Sequence, residues 1–135
     1  MTEIASASIG AIVAILIWYL SSRDLAKKEK ENKRREIRLN YLIDAYQRLE
    51  SASNRPFDPK STYSRNIESA ISDIQLFGSR KQSDLAQEFS KTYADAHDAS
   101  VDDLLNELRN DLRKELDLEA LISKRTILRI LKKKR

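Results

Sequence analysis

The chain opens on a block of apolar residues. Residues 4–20 read IASASIGAIVAILIWYL, and Ser21 and Ser22 extend them to nineteen uncharged positions before Arg23. A helix rises about 1.5 Å per residue, so the run reaches about 28 Å, close to the hydrocarbon thickness of a bilayer. The pattern predicts a transmembrane anchor over residues 1–22. Trp18 and Tyr19 stand at its end, where amphipathic rings favour the membrane interface. Two other readings compete. A signal peptide wants bases before the run and a small-residue cleavage site after it. Here MTE precedes the run and SSRD follows it. A buried core helix needs a domain large enough to wrap it, and the rest of this chain is small.

The pattern then changes twice. Residues 23–38 are charged on all sides, and neither Pro nor Gly occurs between Ser22 and Asn54. The anchor helix is therefore predicted to continue out of the membrane as a basic stalk. From Ile37 onward one face turns apolar, with Leu39, Leu42, Tyr46, Leu49 and Ala52 at spacings of three and four. That face docks onto a core. The segment Asn54-Arg55-Pro56-Phe57-Asp58-Pro59 breaks the helix, because each proline disfavours helix in the residue before it.

A second helix is predicted from Lys60 or Ser61 to Phe77, burying Ile67, Ala70, Ile71 and Ile74. Gly78 should end it in the left-handed conformation. Ser79 and Gln82 have capping-box spacing and open a third helix, which runs to about His97 with Leu85, Ala86, Phe89, Tyr93 and Ala96 inward. Ser100 and Asp103 make a second box. They open a fourth helix lined by Leu104, Leu105, Leu108, Leu112 and Leu116. Leu118 to Arg135 should follow with little or no break, with Leu121, Ile122, Leu128 and Leu131 as an apolar face. The expected fold class is all-α: one N-terminal transmembrane helix continuing into a small cytoplasmic helical bundle. Its parts are an anchor (1–22), a basic juxtamembrane stalk (23–38), the bundle (39–123) and a basic C-terminal tail (124–135).

Composition agrees with few connections. Only two Gly and two Pro occur in 135 residues, and a sheet protein needs many turns built from such residues. No Cys is present, which excludes disulfides, thiolate nucleophiles, Cys-type zinc or iron–sulfur sites and palmitoylation. His97 is the one histidine, so no multi-His metal site can form within one chain.

Charge sets orientation and contacts. The anchor is followed by Arg23, Lys27, Lys28, Lys30, Lys33, Arg34, Arg35 and Arg38 and preceded by Glu3 alone. Lys and Arg flanking a span favour the cytoplasmic side. The N-terminus is expected outside and the domain inside. The net charge of +4 is unevenly spread: +4 over 23–38, −6 over 39–123, and +7 over 124–135 from Lys124, Arg125, Arg129, Lys132, Lys133, Lys134 and Arg135. The basic flanks suit anionic lipid, worth roughly 1 kcal/mol per base near the surface, or nucleic acid through phosphate contacts. Alternatively, the tail of one copy meets the acidic body of another. A tail that is merely solvated is the plainest alternative. No aromatic residue lies in the tail, so base stacking is not expected there.

Within the anchor, Ser6, Gly10 and Ala14 recur every four residues on one face. Small residues at that spacing let helix backbones approach closely in lipid, so self-association is expected, with ordinary span composition as the plain alternative. Catalytic chemistry is poorly supplied. The two glycines, Gly10 and Gly78, cannot form a phosphate loop or a dinucleotide fingerprint. Helical-bundle ribonucleases of the higher-eukaryote and prokaryote nucleotide-binding class carry an Arg shortly before a His; here Lys91 precedes His97. Carboxylates such as Asp102 and Asp103, or Asp111 and Glu115, sit among Arg109, Arg113 and Lys114, as on a solvated helix face. No enzyme and no cofactor are expected.

The stretches YLIDAYQRLESASNR, AISDIQLFGS and LLNELRNDLRKEL resemble those of small bacterial proteins with one N-terminal span and a helical cytoplasmic domain, some of which accompany antiphage systems. The layout resembles that of CRISPR-associated membrane accessory proteins, whose helical domains assemble into membrane pores. That resemblance implies a non-enzymatic, oligomeric membrane effector in antiviral defence that permeabilises or depolarises the inner membrane. The alternative expectation is a membrane-tethered module, or a subunit of a larger complex. Such a module would recruit a partner protein, or nucleic acid, through its helical domain.

Overall fold

In the computed structural model the described residues are 2–56, 58–96 and 99–129. They form four helices and no strand: α1 (Thr2–Ala52), α2 (Thr62–Phe77), α3 (Arg80–Ala96) and α4 (Asp102–Glu115). The chain divides between Ile37 and Arg38 into two units.

The first unit is α1 up to Ile37. Its apolar third is helix-compatible without a partner, and its charged third carries Glu29 and Lys33, and Glu31 and Arg35, at the i,i+4 spacing that supports an exposed helix. From residue 5 to residue 37 every residue except Ser22 is exposed.

The second unit begins at Arg38 and has its own core. Leu42, Ala45 and Leu49 from α1 meet Ala70, Ile71 and Ile74 from α2, Ala86 and Phe89 from α3, and Leu104, Leu105, Leu108 and Leu112 from α4. Ile67, Leu85 and Tyr93 pack against this cluster as half-buried neighbours. Tyr41 stacks on Phe77 at 4.3 Å between ring centroids.

Local chemistry explains most boundaries. Asn54 takes a positive φ of 55°, and with Pro56 and Pro59 beyond it α1 cannot continue. Ser61 caps α2 by accepting from the Ser64 N–H at 3.3 Å. Ser79 and Gln82 form the reciprocal capping box: the Ser79 N–H donates to Gln82 Oε1 at 2.9 Å, and the Gln82 N–H donates to Ser79 Oγ at 3.2 Å.

Five expectations are corrected. Gly78 is not left-handed; its φ is −73°. Glycine is needed there for space, because a Cβ would collide with the Ile74 carbonyl oxygen and crowd Gln82 Cβ at 3.2 Å. Gly78→Ala should therefore destabilise the domain by about 1–3 kcal/mol, read as a lowered midpoint in denaturant. Ala96 is exposed at the last turn of α3 rather than inward. Ser100 caps α4 by accepting from the Asp102 N–H at 3.2 Å, without the reciprocal bond of a box, since the buried Val101 takes the N-cap position.

The two remaining corrections concern the C-terminal side. Leu116 is 53% exposed, because α4 has already closed beneath it. Asp117 adopts φ 56°, its N–H donates to the Lys114 carbonyl at 3.0 Å, and the Leu118 N–H donates to the Arg113 carbonyl at 2.8 Å. This is a Schellman closure with Asp where glycine is usual. Residues 118–129 are consequently not helical. Leu121, Ile122 and Leu128 are exposed and form no helical face, while Leu131 lies outside the described residues.

Candidate functional site

Two surfaces carry the residues singled out by the sequence. The first is the exposed length of α1. Ser6, Gly10 and Ala14 recur at i, i+4 and i+8 within it, and a Cβ placed on Gly10 would meet nothing within 4 Å. Glycine in a helix costs about 1 kcal/mol relative to alanine, and no neighbour within the chain requires the missing side chain. Trp18 and Tyr19 are exposed, with the Arg23 guanidinium 5.7 Å from the Tyr19 ring centroid. Beyond them, Arg23, Lys27, Lys30 and Arg34 follow one another at spacings of three and four along a single stripe. Lys33 flanks this stripe, whereas Lys28 and Arg35 lie across the helix.

The second surface is the described part of the basic tail, and most of it is engaged by its own chain. Arg113 Nε donates to the Glu119 carbonyl and Arg109 Nη2 to the Ser123 carbonyl, both at 2.7 Å. Arg125 then reaches back to Asp102 Oδ1 at 2.9 Å. Residues 119–125 thus run antiparallel to α4. Farther on, Arg129 Nη2 donates to the carbonyls of Glu50, of Ser51 (3.3 Å) and of Ser53 (3.0 Å). Those carbonyls cluster at the C-terminal end of α1, where a cation is also favoured by the helix dipole. Glu50 adds ion pairs to Arg125 at 3.9 Å and to Arg129 at 3.6 Å. Lys124 remains exposed. Lys132, Lys133, Lys134 and Arg135 lie outside the described residues, as does His97.

A polar junction missed at the sequence level joins all four helices. Gln82 is fully buried, and its Nε2 donates to Asp111 Oδ2 at 2.7 Å. Arg38 donates from Nε to the Phe77 carbonyl at 2.9 Å and from Nη2 to the same Asp111 oxygen at 3.4 Å, with Glu115 3.6 Å from Nη1. Gln82 shares the spacing of Ala86, Phe89 and Tyr93, which was the available signal for its burial.

A groove of about 440 Å³ opens between α2 and α3, lined by Pro59, Ile67, Ile71, Phe89, Tyr93 and their neighbours. Burial pushes the Tyr93 phenol above its usual range; a hydrogen bond with Ser64 pulls the other way and Glu68 adds to the rise. Tyr93 is therefore a neutral hydroxyl at ordinary pH. Its contribution to stability is complete below the ordinary phenol pKa and is lost as pH rises through the raised one.

No family model, curated protein or solved structure matches the chain.

Proposed function

We propose that the chain is a single-pass protein of the bacterial inner membrane and acts without catalysis as a homo-oligomeric effector there. Residues 4–22 would cross the bilayer, with the N-terminus outside and the unit from Arg38 onward in the cytoplasm. One observation carries the membrane assignment. Ile9, Ile12, Val13, Ile15, Leu16, Ile17, Trp18, Tyr19 and Leu20 are all exposed, Trp18 by 70%, on a helix long and apolar enough to span a membrane. Each such side chain gains roughly 1.5–3 kcal/mol on leaving water, and a bilayer takes all of them at once. The stripe of Arg23, Lys27, Lys30 and Arg34 then meets the anionic cytoplasmic leaflet.

Assembly through Ser6, Gly10 and Ala14 is supported by the open space at Gly10, which a second copy of the helix would fill. The span contains no charged residue. A conducting assembly would therefore have to be lined by Ser6, Ser8 and small residues, or arise by rearrangement. The resemblance in layout to CRISPR-associated membrane accessory proteins supports a role in antiphage defence.

The test is the mass of the purified protein in nanodiscs, for wild type and Gly10→Leu. A discrete homo-oligomer that dissociates on substitution, by at least tenfold in the association constant, is the expected result. A wild-type monomer unaffected by Gly10→Leu would sink the assembly. The second reading, a tethered module that recruits a protein partner, is favoured by the apolar groove between α2 and α3. It would show itself as a fixed ratio to another protein in place of a homo-oligomer.

A further inference from the structure

We propose that residues 117–129 form a releasable latch, clamped here onto α4 and the end of α1, whose alternative ligand is an anionic bilayer surface. The inference rests on the membrane reading above, since an anchored chain stays beside lipid.

The clamp is made of arginines. Arg109 and Arg113 hold strap carbonyls, while Arg125 and Arg129 hold Asp102, Glu50 and the last carbonyls of α1. It leaves the largely buried Arg125 side chain poorly satisfied. The Arg125 side chain is only 7% exposed, yet its Nε and Nη1 make no hydrogen bond among the described residues, and Glu50 stands 3.9 Å off. A buried guanidinium with unused donors is costly to keep.

The apolar side of the strap points the other way. Leu118 and Leu128 are exposed and Ile122 is fully so. Local sequence also disagrees with the clamped form. Residues 117–129 contain neither Gly nor Pro and carry good helix formers, but they are not helical, and Asp117 at the hinge is left-handed. A segment whose local preference opposes its tertiary contacts is a two-state element.

Lipid supplies what the clamp lacks. Phosphodiester oxygens accept the paired donors of a guanidinium in place of Glu50 and Asp102. The acyl boundary takes Leu118, Ile122 and Leu128, and Lys124 adds a further base. A nucleic acid would satisfy the arginines but leave those three apolar side chains in water, which is why lipid is favoured.

The chain has no cysteine, so spin labels at Gln47→Cys and Thr126→Cys, both exposed positions, report the latch without background when the doubly labelled chain is diluted into excess unlabelled protein. The distance between them would be measured by pulsed electron resonance on the full chain in two kinds of nanodisc. One is phosphatidylcholine alone; the other contains phosphatidylglycerol as well. A single short distance is expected in the neutral discs, and a longer, broader distribution in the anionic ones, reversed by high salt. Arg125→Ala with Arg129→Ala should give the long distribution even in neutral lipid. One unchanged distance in both lipids overturns the latch alone. A chain that does not enter nanodiscs overturns the membrane reading and the latch with it. The short, clamped distance appearing only between copies labelled singly, at Gln47→Cys in one and Thr126→Cys in the other, would assign the strap to a second chain and overturn the latch.

Discussion

Replacing Val13 and Leu16 together by arginine should move the protein from the membrane fraction to the soluble or aggregated fraction. Both positions lie near the middle of residues 4–22, and both side chains are exposed. No packing within the chain is lost by changing them. On insertion scales an arginine at the centre of a span costs about 2.5–3.5 kcal/mol, and the aliphatic residue it replaces gives up a few tenths more. The pair therefore shifts insertion by about 6–8 kcal/mol, more than four powers of ten in the equilibrium. The measurement is carbonate-resistant membrane association in cells, beside a control with two leucines at the same positions. The unit from Arg38 onward has its own core, so its circular dichroism should survive in the arginine variant. A double-arginine chain that stays in the carbonate-resistant pellet would show that another part of the protein holds the membrane.

How far the sequence foretold the molecule depended on whether each determinant was local. Pro56 and Pro59 keep the linker after α1 out of a helix through their own rings, and Ser79 with Gln82 opens α3 through a bond pair three residues apart. Both were legible. Gly78 was legible as a stop but not for its reason, since the collision with the Ile74 carbonyl depends on the path of the chain after α2. The end of α4 was not legible at all. Asp117 is not the glycine that announces such a turn, and no breaker follows it for the rest of the chain. What holds the strap out of a helix is mostly tertiary: Arg113 and Arg109 grip its carbonyls from six and fourteen residues away, and Arg129 reaches α1 across 79 residues. The tail was likewise visible as positive charge. Its clamp was invisible, because Glu50 and Asp102 look like ordinary solvated acids until the fold brings them to Arg125.

The same logic of distance governs the second large effect, at Asp111. Asp111→Ala should destabilise the domain by about 2–4 kcal/mol, with Asp111→Asn costing less. The carboxylate is the shared acceptor of the junction: Gln82 Nε2 at 2.7 Å and Arg38 Nη2 at 3.4 Å meet on one oxygen. Removing it leaves the amide of Gln82, on a fully buried residue, with a donor facing no acceptor. Arg38 keeps the Phe77 carbonyl and Glu115, and about a quarter of the Asp111 side chain is open to water. The loss therefore falls below that of a fully buried ion pair. Asparagine restores an acceptor for Gln82 without the charge, so the gap between the two variants isolates the pairing with Arg38. Equilibrium denaturation of the full chain in detergent reads both. If Asp111→Ala and Asp111→Asn were equally mild, the junction would be a surface contact, and the four helices would owe their mutual register to the apolar core alone. If the gap is large, Arg38 fastens its own stretch of α1 to the other three helices, and the clamp at Arg129 holds the C-terminal end of that same stretch.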